Sequence, residues 1–165
     1  MKQTQMLLLP LMLVVLSILA GKTDDPMTQE SSTPPAGNTA ATNPGNSNLS
    51  NRLRIGVGTH TFTATLLDNP SVTAFKARLP LTIVMKELNG NEKFVDLPTS
   101  LPISVSNPGT IQAGDLMLYG SSTLVLFYET FQTSYRYTRL GQIDNPTSLQ
   151  RALGAGNVTV SFELL

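Results

Sequence analysis

The chain has 165 residues, 11 Lys+Arg against 11 Asp+Glu, only 13% charged residues, no cysteine and a single histidine, His60. A formal net charge of zero invites neither nucleic acid nor an anionic membrane surface. The missing thiols exclude disulfides, thiol catalysis, Fe–S clusters and cysteine zinc sites; no run resembles a calcium loop, and no metal or other cofactor is expected.

The chain opens on "MKQTQMLLLPLMLVVLSILAGK": Lys2, an apolar run from Met6 to Leu19, then the small residues Ala20 and Gly21. That is the layout of a secretory signal peptide over residues 1–21. The run is shorter than the ~20 residues a spanning helix needs, and Pro10 interrupts it. Retention as an uncleaved anchor is the alternative, and the membrane association expected is through this segment alone. "LAGK" resembles a bacterial lipoprotein signal in which Lys22 replaces the cysteine that would carry the lipid, so lipidation is not expected. The reading is an exported bacterial protein, periplasmic or associated with the cell surface. Residues 22–51 are rich in Ser, Thr, Asn, Pro and Gly, with no aromatic residue. Such a segment cannot bury enough apolar surface to offset its ordering entropy, so it is expected to be a disordered linker, reaching about 30 Å on average.

The folded part is expected over residues 52–165, and its pattern is mostly of period two. "RLRIGVG" puts Leu53, Ile55 and Val57 on one face; "HTFTATLL" puts Phe62, Ala64 and Leu66 on one face, threonines opposite. Both predict half-buried strands. His60 lies at their join with no serine–aspartate motif to complete a triad, and "GVG" precedes a strand, so it is not a dinucleotide fingerprint. "DNPSVTAFKARLP" predicts a helix: Asp68 or Asn69 caps it, Pro70 suits its first turn, Val72, Phe75 and Leu79 form one stripe, and Pro80 stops it. "LTIVMKEL" predicts a strand entering a hairpin at Asn89-Gly90. The stretch from Asp96 to Asp115 is a long irregular excursion with one or two short strands, of the kind that rims a groove.

The four tyrosines all lie between Tyr119 and Tyr137. In "STLVLFYE", Leu124, Leu126 and Tyr128 point one way, Val125 and Phe127 the other, which predicts a wall strand buried on both faces and covered by a helix. In "TFQTSYRYTRLGQI", Tyr135, Tyr137 and Arg139 share one face of a predicted strand. Such a ladder can stack rings, donate hydrogen bonds and hold a guanidinium over a π face, in a groove accepting a peptide carbonyl or a carboxylate. The other reading is a cross-strand aromatic ladder on a barrel surface. "SLQRALGAG" predicts a second short helix, and "NVTVSFELL" a last strand that pairs beside the first and closes the barrel.

This order, with Pro70, Phe75 and Leu79 in the helix and Gly141 and Ile143 in an L-G-x-I strand, resembles a cyclophilin. The run "GDLMLYGSSTLVLFYETFQTSYRYTRLGQI" is more particularly similar to the cyclophilin-like domains of bacterial exported proteins, a family of unknown function. The resemblance covers nearly all of residues 52–165. It implies a mainly β fold, a closed eight-stranded barrel with two short helices over its open ends. The isomerase chemistry of cyclophilins is not carried by the matching residues. Where those enzymes have a catalytic arginine and an F-M-x-Q run, this chain reads "MKELNGNEKFVDLP", with no arginine between Arg78 and Arg136; it has no tryptophan, and Tyr137 replaces a histidine. The expected function is therefore a non-enzymatic binding module for a peptide segment or small ligand, using Tyr135, Tyr137 and Arg139 with Tyr128 or Met85 nearby. The alternative is a peptidyl-prolyl isomerase with an altered active site.

Overall fold

The computed structural model describes residues 50–165; the expected signal segment and nearly all of the expected linker lie outside the described residues. In chain order the elements are β1 (Arg52–Val57), β2 (His60–Leu66), α1 (Pro70–Lys76), β3 (Leu81–Leu88), β4 (Glu92–Asp96), β5 (Thr110–Ile111), β6 (Asp115–Tyr119), β7 (Thr123–Phe127), β8 (Phe131–Gln132), β9 (Thr138–Ile143), α2 (Leu149–Leu153) and β10 (Val158–Leu164). Eight of the strands close a barrel in the order β1-β10-β3-β4-β7-β6-β9-β2, every pairing antiparallel.

Alternation sets the inside. Leu53, Ile55 and Val57 of β1 and Phe62, Ala64 and Leu66 of β2 join Leu116, Leu118, Leu124, Leu126, Val160 and Phe162 in one buried cluster. The outer positions of β1 and β2 carry Arg and Thr, so this side of the wall meets water. Gly141 permits a close backbone approach in the wall: a Cβ there would stand 2.5 Å from the Thr65 carbonyl oxygen. The Asn89-Gly90 hairpin forms as expected, both residues left-handed at φ 57° and 73°.

The helices close the ends of the barrel. In α1, Asn69 caps the helix by accepting the Val72 N–H at 2.9 Å, and Val72 and Phe75 are buried, Phe75 edge-on to Phe162 at 6.0 Å. Phe162 lies opposite Leu81, where β3 begins. Leu149 and Leu153 of α2 are buried, and the loop after them reaches Lys93, which pairs with Glu87 where β3 ends. The two helices thus serve opposite ends of β3.

Two expectations need correction. The outer face of β7 is buried, but no helix covers it. Its Val125 and Phe127 lie with Met117 under Ile111, Phe131 and Tyr137, carried by the two-stranded β5–β8 sheet and the segment before β9. Two-residue strands have no period to read, which is why the cover is invisible in the sequence. The strand expected to hold Tyr135 also starts later: β9 begins at Thr138, and the backbone of Tyr137 pairs through an isolated bridge to Ser106.

Candidate functional site

The expected site residues divide between two places. On the outer wall, the register of β6 and β9 pairs Leu118 with Thr138, which sets Tyr119 beside Tyr137. Tyr119 joins the expected residues: its ring is 5.6 Å from Tyr137 and edge-on to Tyr135 at 6.2 Å. Tyr137 in turn stands edge-on to Phe127 at 5.5 Å, and Phe127 meets Phe131 at 5.7 Å. The result is a run of rings that is buried at one end and open at the other. Tyr137 is only 6% exposed, whereas Tyr119 is 46% and Tyr135 63% exposed. Burial, with smaller contributions from Glu92 and the two neighbouring phenols, pushes the Tyr137 hydroxyl up to about 12. The Tyr137 phenol is therefore a neutral donor or acceptor at physiological pH.

Arg139 stands opposite Met117 on the same wall. Its guanidinium is about half exposed and donates at 3.2 Å to the carboxylate of Asp115, which is wholly buried. Asp115 also accepts the Gln112 N–H at 2.9 Å, so the acid is anchored and holds the arginine from behind. The arrangement can present ring faces, two hydroxyls and a fixed cation to one ligand.

Tyr128 and Met85 are elsewhere. Both belong to the inner cluster, Met85 wholly buried. The Tyr128 hydroxyl donates to Glu87 at 2.7 Å. Glu87 is also bonded by Lys93, which is 0% exposed and donates further to the carbonyls of Gly154 and Gly156, both at 2.7 Å. An ammonium has three N–H bonds, so Lys93 is fully satisfied. Its ammonium also sits 5.5 Å from the Tyr128 ring centre. Burial acts to raise the Glu87 carboxyl, but the bonds from Lys93, Tyr128 and the Gly90 N–H together hold it below the ordinary range. Burial and then the Glu87 charge raise the Tyr128 hydroxyl, and they raise the Glu92 carboxyl to about 7. Over this node lies a hollow of ≈ 460 Å³ lined by Glu87, Gly90, Tyr128, Gln150, Arg151, Gly154 and Ala155.

Among the described residues there is no cluster of His, Asp or Glu able to hold a metal, and no helix long and apolar enough to cross a membrane. His60 is exposed at the turn between β1 and β2. Sequence reasoning missed Tyr119, Asp115 and Lys93. Lys93 left a usable trace, since it alternates with Val95 and Leu97 on one face; Tyr119 left none, because only the register of β6 against β9 sets it beside Tyr137.

A closed antiparallel barrel of eight strands, capped by two short helices and carrying its own small sheet on one wall, defines the class. The chain belongs to the cyclophilin-like family, whose family model matches residues 55–163. Its structure is similar to the solution structure of a hypothetical protein from Archaeoglobus fulgidus, with a TM-score of 0.49 and 19% identity over 71% of this chain and 96% of that one. No relative is found among curated proteins.

Proposed function

We propose that this is a non-enzymatic binding module of an exported protein, which takes a peptide segment or small ligand on the Tyr119–Tyr135 face beside Arg139. One observation carries the reading: two tyrosine rings stand exposed in a chain of contacts, Tyr135 on the edge of Tyr119 and Tyr119 against the buried Tyr137. A ring that is already ordered loses little entropy when a ligand covers it. The exposed faces suit an apolar or cationic side chain, and the phenols and guanidinium suit a carbonyl or carboxylate. Tyr128 and Met85, which belong to the inner cluster, do not touch the ligand.

The protein reports its own binding. It has no tryptophan and four tyrosines, so intrinsic tyrosine emission comes largely from this wall. A peptide library screened by quenching of that emission should give saturable binders that Tyr135→Ala weakens with little change in melting temperature; Arg139→Ala should weaken them too, but it also lowers the melting temperature because it leaves the buried Asp115 carboxylate without its cation. Quenching unaffected by both substitutions overturns the assignment of the face. A protease-coupled proline isomerisation assay with activity near that of ordinary cyclophilins overturns the non-enzymatic reading. Mass spectrometry of the secreted protein should find an N-terminus near Gly21 or Lys22; an intact Met1 speaks for the anchor.

A further inference from the structure

The barrel wall parts along one stretch. β3 pairs with β10 at every position from Leu81 to Met85, but with β4 only from Lys86 to Leu88. Beyond Phe94, β4 keeps only its pairing with β7, which runs its whole length: Val95 and Asp96 pair with Leu124 and Thr123. Between the two strands lies a window, bounded at one end by the Lys86–Phe94 pair. At the other end the Arg78 guanidinium donates to the carbonyls of Thr99 and Ser100 at 2.9 and 2.8 Å.

The main chain of β3 faces this window with free groups. The Glu87 N–H is directed to Asn157 beside β10, and the Leu88 carbonyl accepts from Asn91 on the β4 side. Successive residues of a strand turn their N–H and C=O to opposite sides. Lys86 therefore faces β4, and so do Val84 and Thr82. In continued register Val84 would meet Asp96, but β4 has moved away and no pair forms. The floor is apolar. Leu81, Ile83 and Val95 are inward positions packed on the main cluster, yet they are only partly buried, whereas Leu53, Ile55, Leu116 and Leu124 are fully covered. Val84 itself is 57% exposed.

We propose that this window is a strand-addition site. An extended segment of a partner polypeptide pairs with the Thr82–Val84 edge and lays an apolar side chain on the Leu81–Ile83–Val95 floor. Main-chain donors and acceptors spaced two residues apart are complementary to another extended main chain, and the floor below selects apolar side chains at alternate positions. The window from Leu81 to Met85 is about 16 Å long, room for five residues of strand. It is flanked by β4 and by the Arg78 bridge, so a single extended segment fits it better than the edge strand of a second folded barrel. This site stands apart from the tyrosine face and does not depend on it.

The probe is a fluorescein-labelled hexapeptide of alternating threonine and valine, read by anisotropy against the full chain, with two control peptides N-methylated on the threonines or on the valines. The unmethylated peptide should bind saturably, and one control should bind about tenfold or more weakly, since each blocked N–H removes a main-chain bond. Hydrogen exchange should show Thr82 and Val84 unprotected in the free chain and protected with peptide. Val84→Pro, which deletes an N–H that serves no barrel bond, should weaken the peptide similarly, and Tyr135→Ala should not. The proposal is overturned by no saturation up to about 1 mM, by both methylated peptides binding as tightly as the parent, or by protection of Thr82 and Val84 in the free chain. The exchange and methylation arms need no substitution, so a poorly folded variant does not shield the idea.

Discussion

Tyr128 and Tyr135 are seven residues apart and do opposite things. Tyr128 is turned into the end of the barrel, its hydroxyl committed to Glu87 and its ring beside the Lys93 ammonium. Tyr135 stands outside, bonded to nothing through its hydroxyl and held only by the edge of Tyr119. Around Tyr128 every donor of Lys93 and both oxygens of Glu87 have protein partners. Around Tyr135 the ring faces are open. Binding capacity lies where polar and aromatic groups are ordered but unmatched; where they are fully matched, they hold the fold.

Substitutions should separate the two regions by size of effect. Lys93→Ala should do the most harm, about 3–5 kcal/mol in urea unfolding, because it strands the Glu87 carboxylate and two carbonyls at the barrel end. If it costs under about 1 kcal/mol, water replaces the ammonium and the node is not what seals that end. Tyr137→Ala comes next, at about 3 kcal/mol, as expected of a ring buried against Phe127 and Val125. Val125→Ala, losing two methyl groups in the same cluster, should cost about 1.5–3 kcal/mol. A smaller cost for Tyr137→Ala than for Val125→Ala would make Tyr137 part of the open face and not of its support.

Acidity offers a gentler test. The folded Glu92 carboxyl is raised from 4.5 to about 7, chiefly by burial and then by Glu87, so the folded chain keeps a proton that the unfolded chain releases. Stability should therefore fall as pH rises from about 4.5 to about 7, by at most about 2 kcal/mol after the shift is discounted for solvent screening of a partly exposed carboxyl, and level off above. Glu87 acts in the opposite sense: its carboxyl is lowered in the fold, and its contribution is lost as pH falls below the ordinary carboxylate range. Glu92→Gln should flatten the first slope and leave the acid limb; urea midpoints measured across pH check both. Smallest of all is Tyr135→Ala, expected to change stability by less than about 1 kcal/mol, since a largely exposed ring gives up one edge contact. Calorimetry showing a greater loss would move Tyr135 from the binding face into the structural wall.

The barrel was legible because its inner strands alternate. Leu53, Ile55 and Val57, or Phe62, Ala64 and Leu66, announce an inside and an outside in any register. The hairpin at Asn89-Gly90 and the cap at Asn69 were legible for a different reason, since their chemistry is local. Closure of the barrel by the last strand beside the first was legible too, but other features settled by distant pairing were not. Ile111 and Phe131 come from two-residue strands that only tertiary contact assembles, so the lid over β7 was misread as a helix. The Tyr135–Tyr137–Arg139 alternation gave the correct wall but not its depth: nothing nearby in sequence says that Ile111 and Phe127 bury Tyr137 while leaving Tyr135 open. Lys93 was passed over because a lysine beside a hairpin has the composition of a surface.

The place of β10 between β1 and β3 has a consequence for synthesis. The strand that fills the gap is made after every other strand of the barrel, and until Val158–Leu164 arrives, β1 and β3 each keep a bare edge. The growing chain can form hairpins such as β1–β2 and β3–β4, but it cannot close the ring, and the carbonyls that neutralise the buried Lys93 are also still to come. Long-range closure of this kind is slow, and unclosed edges invite pairing with other chains. A nascent barrel that stays open until its last strand also stays threadable until then.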